Sequence, residues 1–206
     1  GQKWIKRVVA EMGGKDFIIV DKESNLEDAV DGVVRSAFGY GGQKCSACSR
    51  AIVDESVYDM FVSTLTEKTK KLSVGAPELP DTFLGPLISE AALEKAGSYI
   101  AIGKKEGKLL VGGEVDTSRG YYLNPTIFGE VPPNARLAQE EIFAPVLAII
   151  KSKNFDDAIR IANGTEYGLT GAFYTNNPEK QKKGLQELHV GNLYMNRGCT
   201  GSLVGV

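Results

Sequence analysis

A cysteine, a lysine and a cluster of glycines lie together in Gly39-Tyr40-Gly41-Gly42-Gln43-Lys44-Cys45. The thiolate is the nucleophilic form of cysteine, and it needs cationic or dipolar neighbours. Lys44 is adjacent, and glycines let the backbone approach a bound group closely. Backbone N–H groups beside the thiol can hold an oxyanion, as acyl chemistry at a thiol requires. Three other readings of Cys45 stand beside this one. A free cysteine is commonly a buried structural thiol. The spacing to Cys48 is C-x-x-C, which a redox pair would share. A zinc site at Cys45 and Cys48 would have to draw on both Cys199 and the single histidine, His189, with no ligand to spare, so no metal is expected.

These residues need a scaffold, and the chain alternates strand and helix signals. Asp16-Phe17-Ile18-Ile19-Val20 reads as a buried strand. Leu26, Ala29, Val30, Val33, Val34 and Ala37 recur at helical spacing from 26 to 38, with Ser24 or Asn25 to cap the start. Gly39 to Gly42 break that helix, and Cys48 to Val53 form the next strand. The same reasoning predicts helices over 57–72, 89–106, 155–162 and 178–188, and strands over 109–111, 145–150, 169–174 and 192–195. Residues 75–86, with three prolines, read as a long loop, and 121–128 as a broken extended stretch around Pro125. The pattern implies an α/β fold with a mostly parallel sheet flanked by helices, in one domain over 1–206.

The cysteine segment resembles the active-site motif of the aldehyde dehydrogenases, F-x-x-x-G-Q-x-C-x-x-x-x-R, with Phe38, Gly42, Gln43, Cys45 and Arg50 in place. Glu11-Met12-Gly13-Gly14-Lys15 resembles the family's E-L-G-G-K, with Met for Leu, and lies 45 − 11 = 34 residues upstream, the family's spacing. The resemblance implies that Cys45 is the nucleophile and Glu11 the general base. Cys45 would add to an aldehyde, a hydride would leave to a nicotinamide, and Glu11 would activate the water that hydrolyses the remaining thioester. Taken alone, Glu11 reads as a solvated turn charge.

Glu140-Glu141-Ile142-Phe143-Ala144-Pro145-Val146 is similar to the family's E-E-I-F-G-P-V, with Ala144 in place of glycine. The resemblance makes Glu141 the ligand of the nicotinamide ribose and Phe143 a neighbour of the nicotinamide; otherwise Glu140-Glu141 would be a surface pair and Phe143 core. The methyl of Ala144 demands a negative φ. The run from Gly191 to Gly205, with Lys44 to Arg50, resembles the anchor loop and cysteine segment of the 1-pyrroline-5-carboxylate (glutamate semialdehyde) dehydrogenases. That implies Gly201 and Ser202, with Lys44 and Ser46, as the pocket for the substrate's amino-acid end.

Composition fits a soluble globular protein: 42% hydrophobic, 24% charged, formal net charge −2. The charge gives no reason to expect nucleic-acid binding, and no apolar run suggests a membrane span. Three cysteines, an odd number, fit a reducing compartment such as the cytoplasm. The resemblance implies NAD as cofactor, with NADP as the alternative, and a small aldehyde as substrate. It also implies a homo-oligomer at full length. The N-terminal cofactor domain and the C-terminal tail of the family are expected to lie outside these residues, leaving the isolated segment inactive. A thiol-redox domain and a non-catalytic domain with an inherited fold are the readings from other classes.

Overall fold

The computed structural model describes residues 3–201. Its sheet has seven strands: β1 (Asp16–Val20), β2 (Cys48–Asp54), β3 (Lys108–Val111), β6 (Thr126–Gly129), β7 (Val146–Ser152), β8 (Thr170–Tyr174) and β9 (Asn192–Met195). They run in the order β3-β6-β7-β2-β1-β8-β9. Every neighbouring pair is parallel except β3 with β6. Between β3 and β6 stand only β4 (Val115–Asp116) and β5 (Tyr122–Leu123), a two-stranded ribbon. No helix carries the chain across the sheet there, so it folds back and the pair is antiparallel. That antiparallel edge and the short ribbon are additions to the expected pattern of parallel crossovers.

The central strands are continuous apolar runs because both sheet faces are covered. Ile18, Val20, Ala51 and Val53 face α1 (Leu26–Phe38) and α2 (Tyr58–Thr69). Phe17, Ile19, Ile52, Ala148 and Ile150 face α3 (Glu90–Glu106) and α5 (Phe155–Asn163). Gly184 of α6 (Pro178–Glu187) lies against Phe173 on that second side. The helix starts are set locally. Asn25 accepts from the N–H groups of Glu27 and Asp28, Ser89 caps α3, Asn154 caps α5 and Asn177 caps α6. One short helix, α4 (Arg136–Gln139), goes beyond the sequence reading; four residues are too few for a periodic pattern. No described helix is long and apolar enough to cross a membrane.

Candidate active site

Three motif segments lie just before strands, Gly13-Gly14 before β1, Cys45 before β2 and Glu141 to Ala144 before β7, and Tyr167 stands likewise before β8. Because β7, β2, β1 and β8 are parallel neighbours, these four lead-in segments collect at the amino ends of the strands. Ligands of open α/β sheets more often lie at the carboxyl ends.

Gly14 is the point of closest approach. A Cβ placed on it would lie 2.1 Å from the carbonyl oxygen of Cys45 and 2.3 Å from Oδ2 of Asp16. Only a residue with no side chain fits there. The N–H of Gly14 donates to Oε1 of Glu141 at 2.9 Å, across 127 residues of sequence. A Cβ on Gly13 would meet Oε2 of the same carboxylate at 2.8 Å. Three motifs therefore touch at one glycine pair.

The cysteine loop is pinned on other sides too. Tyr40, Gly41 and Gly42 all have positive φ, between 60° and 65°. A Cβ on Gly42 would lie 2.5 Å from the carbonyl oxygen of Ala144. Gln43 accepts from the N–H of Ile88 at 2.9 Å, tying the cysteine loop to the proline-containing 75–86 loop and its continuation. Tyr40, Pro86, Ile88 and Phe143 help line an apolar groove of about 680 Å³ beside it. Ala144 is buried and takes no positive φ; the left-handed residue is Phe143, at 63°, and its ring is half-exposed. The methyl of Ala144 is thus accommodated, and the strained position holds the aromatic side chain outward.

Cys45 is exposed, whereas Cys48 and Cys199 are buried. Cys48 is 2% exposed, and its Sγ donates to the carbonyl of Arg50 on the α1 side of the sheet. Burial, then the neighbouring Cys199 thiol, pushes the Cys48 thiol well above its ordinary range. The geometric neighbour of Cys48 is therefore Cys199, which gives no support to a redox pair of Cys45 with Cys48.

Arg50, the last residue of the cysteine motif, is an internal brace. It is 1% exposed and donates to the carbonyls of Lys15, Ile161 and Ala162 at 2.8 to 3.1 Å. The last two belong to the C-terminal turn of α5, where a cation is favoured. Burial lowers its pKa to about 10, which leaves it charged at neutral pH. The consecutive glutamates divide their duties. Glu140 takes two hydrogen bonds from Arg136 and one from Tyr99, and those bonds, the Arg136 pair first, hold its carboxyl far below the usual range. Glu141 is the one directed at the glycine pair.

The remaining predicted residues are placed as follows. Glu11 is exposed, three residues before Gly14, and its carboxylate takes no hydrogen bond from a described residue. Lys44 and Ser46 are half-buried, on either side of Cys45. The thiol of Cys199 donates to the carbonyl of Ser46 at 3.4 Å, joining the loop after β9 to the cysteine loop. Gly201 is exposed with φ of 86°. Ser202 lies outside the described residues. His189 follows α6, exposed, with its N–H on Asn163. The sequence reading missed the seat that Gly13, Gly14 and Tyr167 make for Glu141. Its only trace was a glycine pair directly before a strand.

This arrangement matches known proteins along its whole length. The family model described as the aldehyde dehydrogenase family matches residues 1–205. The chain belongs to that family. It is 58% identical over 205 residues to the 1-pyrroline-5-carboxylate dehydrogenases of Geobacillus sp. (strain WCH70) and of Bacillus subtilis (strain 168). In each case the match takes in 100% of this chain and 40% of the relative. A solved structure of 1-pyrroline-5-carboxylate dehydrogenase from Thermus with bound NAD superimposes with a TM-score of 0.94 at 49% identity, over 100% of this chain and 40% of that one. Lactaldehyde dehydrogenase from Escherichia coli is more distant, with a TM-score of 0.91 and 36% identity over 93% of this chain and 41% of that one. The chain thus spans about 40% of the length of the relatives it matches.

Proposed function

We propose that this chain is the cysteine-bearing catalytic part of an NAD-dependent dehydrogenase that oxidises glutamate γ-semialdehyde to glutamate. The observation that carries the reading is the convergence on Gly14 of the Cys45 backbone and the Glu141 carboxylate. The relatives named 1-pyrroline-5-carboxylate dehydrogenase support the substrate.

In this reading Cys45, exposed on its loop, adds through Sγ to the aldehyde carbon, and the oxygen becomes an oxyanion near the loop's N–H groups. A nicotinamide cofactor held by Glu141 and Phe143 would supply the hydride acceptor, and Cys45 would then carry the acyl group as a thioester. Glu11, in the lead-in to the same strand as Gly14, takes a proton from the water that attacks the thioester and releases the acid. Glu141 fits a ribose diol. It is a carboxylate with one oxygen held by the Gly14 N–H and acceptor capacity left over. Phe143, held outward, supplies an apolar surface beside it. Lys44 and Ser46 flank the nucleophile, and Gly201 with Ser202 follows the loop that Cys199 ties to Ser46. These four would take the α-carboxylate and amine of the substrate. NADP is the alternative cofactor.

The test uses a protein of the relatives' length carrying this segment. NADH formation is compared between glutamate γ-semialdehyde and a panel of plain aldehydes, for wild type, Ser202→Ala and Cys48→Ala. A preference for the amino-acid aldehyde, weakened by Ser202→Ala and untouched by Cys48→Ala, is the expected outcome. Equal turnover of simple aldehydes would keep the dehydrogenase and discard the substrate. Loss of activity in Cys48→Ala would revive a redox role for that thiol.

A further inference from the structure

The loop that leads into Cys45 is bridged by one side chain. Gln43 is half-buried; its Oε1 accepts from the N–H of Ile88 at 2.9 Å, and its Nε2 donates to the carbonyl of Tyr40 at 3.4 Å. One partner needs an acceptor and the other a donor, so an amide fits where an ionised carboxylate or an alkyl chain does not. The two segments it joins, 40–43 and 85–88, both line the apolar groove.

The upstream limb of the loop needs such a bridge. Tyr40, Gly41 and Gly42 are three successive left-handed residues, a conformation that is costly at Tyr40, which carries a side chain. The backbone N–H of Gln43 reaches the same Tyr40 carbonyl at 3.3 Å, so two donors of one residue hold that turn. The side chains of Tyr40 and Ile88 do not do so by packing, since the residues are 77% and 83% exposed. The far end of the bridge is anchored. The N–H of Leu87 donates to the carbonyl of Tyr121 at 2.8 Å, and that of Leu84 to the carbonyl of Ser73 at 3.0 Å. Beyond Gln43, the N–H groups of Lys44, Cys45 and Ser46 find no acceptor among the described residues, which leaves them for a bound oxyanion. The downstream limb is fixed separately, at Cys45 by Gly14 and at Ser46 by the Cys199 thiol.

We propose that Gln43 is a positioning residue for the nucleophile: its side-chain amide clamps the upstream limb of the cysteine loop to the anchored backbone at Ile88, and so keeps Cys45 and its N–H donors in register with the bound carbonyl. The inference rests on Cys45 being the nucleophile. Misplacing a reacting group by about 1 Å can cost on the order of 10² in rate. The clamp therefore acts on the first chemical step more than on binding.

The experiment is run on a protein of the relatives' length carrying this segment. The first turnover of NADH is followed by stopped flow for wild type, Gln43→Met, Gln43→Glu, Ile88→Pro and the double variant Gln43→Met with Ile88→Pro. Gln43→Met, of similar length but without either hydrogen-bonding group, should slow the first turnover by at least about tenfold. Its amplitude per mole of protein should stay at the wild-type level, and KM for the aldehyde should move less than about threefold. Alkylation of Cys45 by iodoacetamide should also change less than about threefold, since thiolate character and exposure set it. Ile88→Pro removes the N–H at the other end of the clamp and should slow the same step to a similar degree. The double variant should be less than about twofold slower than Gln43→Met, because positions acting through one contact are not additive. A wild-type rate in a folded Gln43→Met overturns the proposal, as do additive losses in the double variant. A reduced amplitude at the wild-type rate overturns it too, since the amide would then support the fold alone. Should Gln43→Met or Ile88→Pro not fold, Gln43→Glu decides. It keeps the acceptor and loses the donor, so its first turnover should slow several-fold at full amplitude, and a wild-type rate overturns the proposal. Full turnover in Cys45→Ala would remove the nucleophile reading itself, an outcome distinct from all of these.

Discussion

The two residues assigned to chemistry stand in unlike surroundings. The Cys45 loop is held from several directions: by Gly14 behind it, by Ala144 against Gly42, by Ile88 on Gln43 and by Cys199 on Ser46. Glu11 sits on an irregular segment in which residues 3–13 are all exposed, and its carboxylate has no described partner. A nucleophile must sit at a fixed distance from the bound carbon and from its oxyanion donors, which calls for a braced loop. A base that activates a water after the hydride has gone acts at another stage. It does not need the same immobility, and a segment with few contacts can supply it.

Cys45→Ala tests the braced side with the largest effect. Turnover should fall at least about 10³-fold, because removing a nucleophile leaves only binding contributions. Iodoacetamide should label Cys45 in preference to the buried Cys48 and Cys199. Labelling of Cys48 first would break the contrast between exposed and buried thiols. Glu11→Gln tests the loose side. Steady-state turnover should drop about 10²- to 10⁴-fold, while a first-turnover burst of NADH survives. Loss of the burst as well would mean that Glu11 acts before the hydride leaves, and the division of labour would fail.

Gly14→Ala separates the two segments through stability. Its Cβ would overlap Cys45 and Asp16, so unfolding should become easier by about 1–3 kcal/mol. Met12→Leu, two residues away on the exposed side, should change stability by less than about 0.5 kcal/mol. Urea denaturation measures both, and equal effects would show that the exposed segment is as tightly packed as the loop.

A pH-dependent effect concerns Asp16, whose Oδ2 lies beside Gly14 without a described partner while Oδ1 accepts from the N–H of Thr170. Burial raises its carboxyl from 3.8 to about 6. A raised carboxyl favours the folded state fully below the unfolded pKa, and that contribution is lost as the pH climbs from about 4 to about 6. Wild type should therefore shed up to about 3 kcal/mol from this group over that window, and Asp16→Asn should not. Parallel profiles for the two proteins would place Asp16 in a more solvated setting.

Much of the architecture was legible because it is local. The 26–38 helix and the 192–195 strand have the bounds read from periodicity, and Asn25 and Ser89 cap helices as short polar residues before apolar repeats should. The antiparallel β3–β6 edge was not, since strand direction depends on how the chain returns through the β4–β5 ribbon. The site was legible unevenly. Cys45, Glu11, Glu141 and Phe143 could be named from motifs, but Glu141 lies 127 residues from the glycine whose N–H it accepts. No local rule connects two such positions.

By itself the sequence determined which residue types are available for chemistry and in what order, and the run of alternating strands and helices that carries them. Periodicity, capping and glycine placement are properties of neighbouring residues, so they can be read along the chain. Only the tertiary structure decided that the lead-ins to β1, β2, β7 and β8 meet at the amino ends of the sheet. It also decided that Cys48 turns inward to Cys199 while Cys45 stays exposed, and that Arg50 and Lys15 are buried. Those outcomes follow from strand order and from which face of the sheet each side chain meets, and both depend on contacts between residues far apart in the chain.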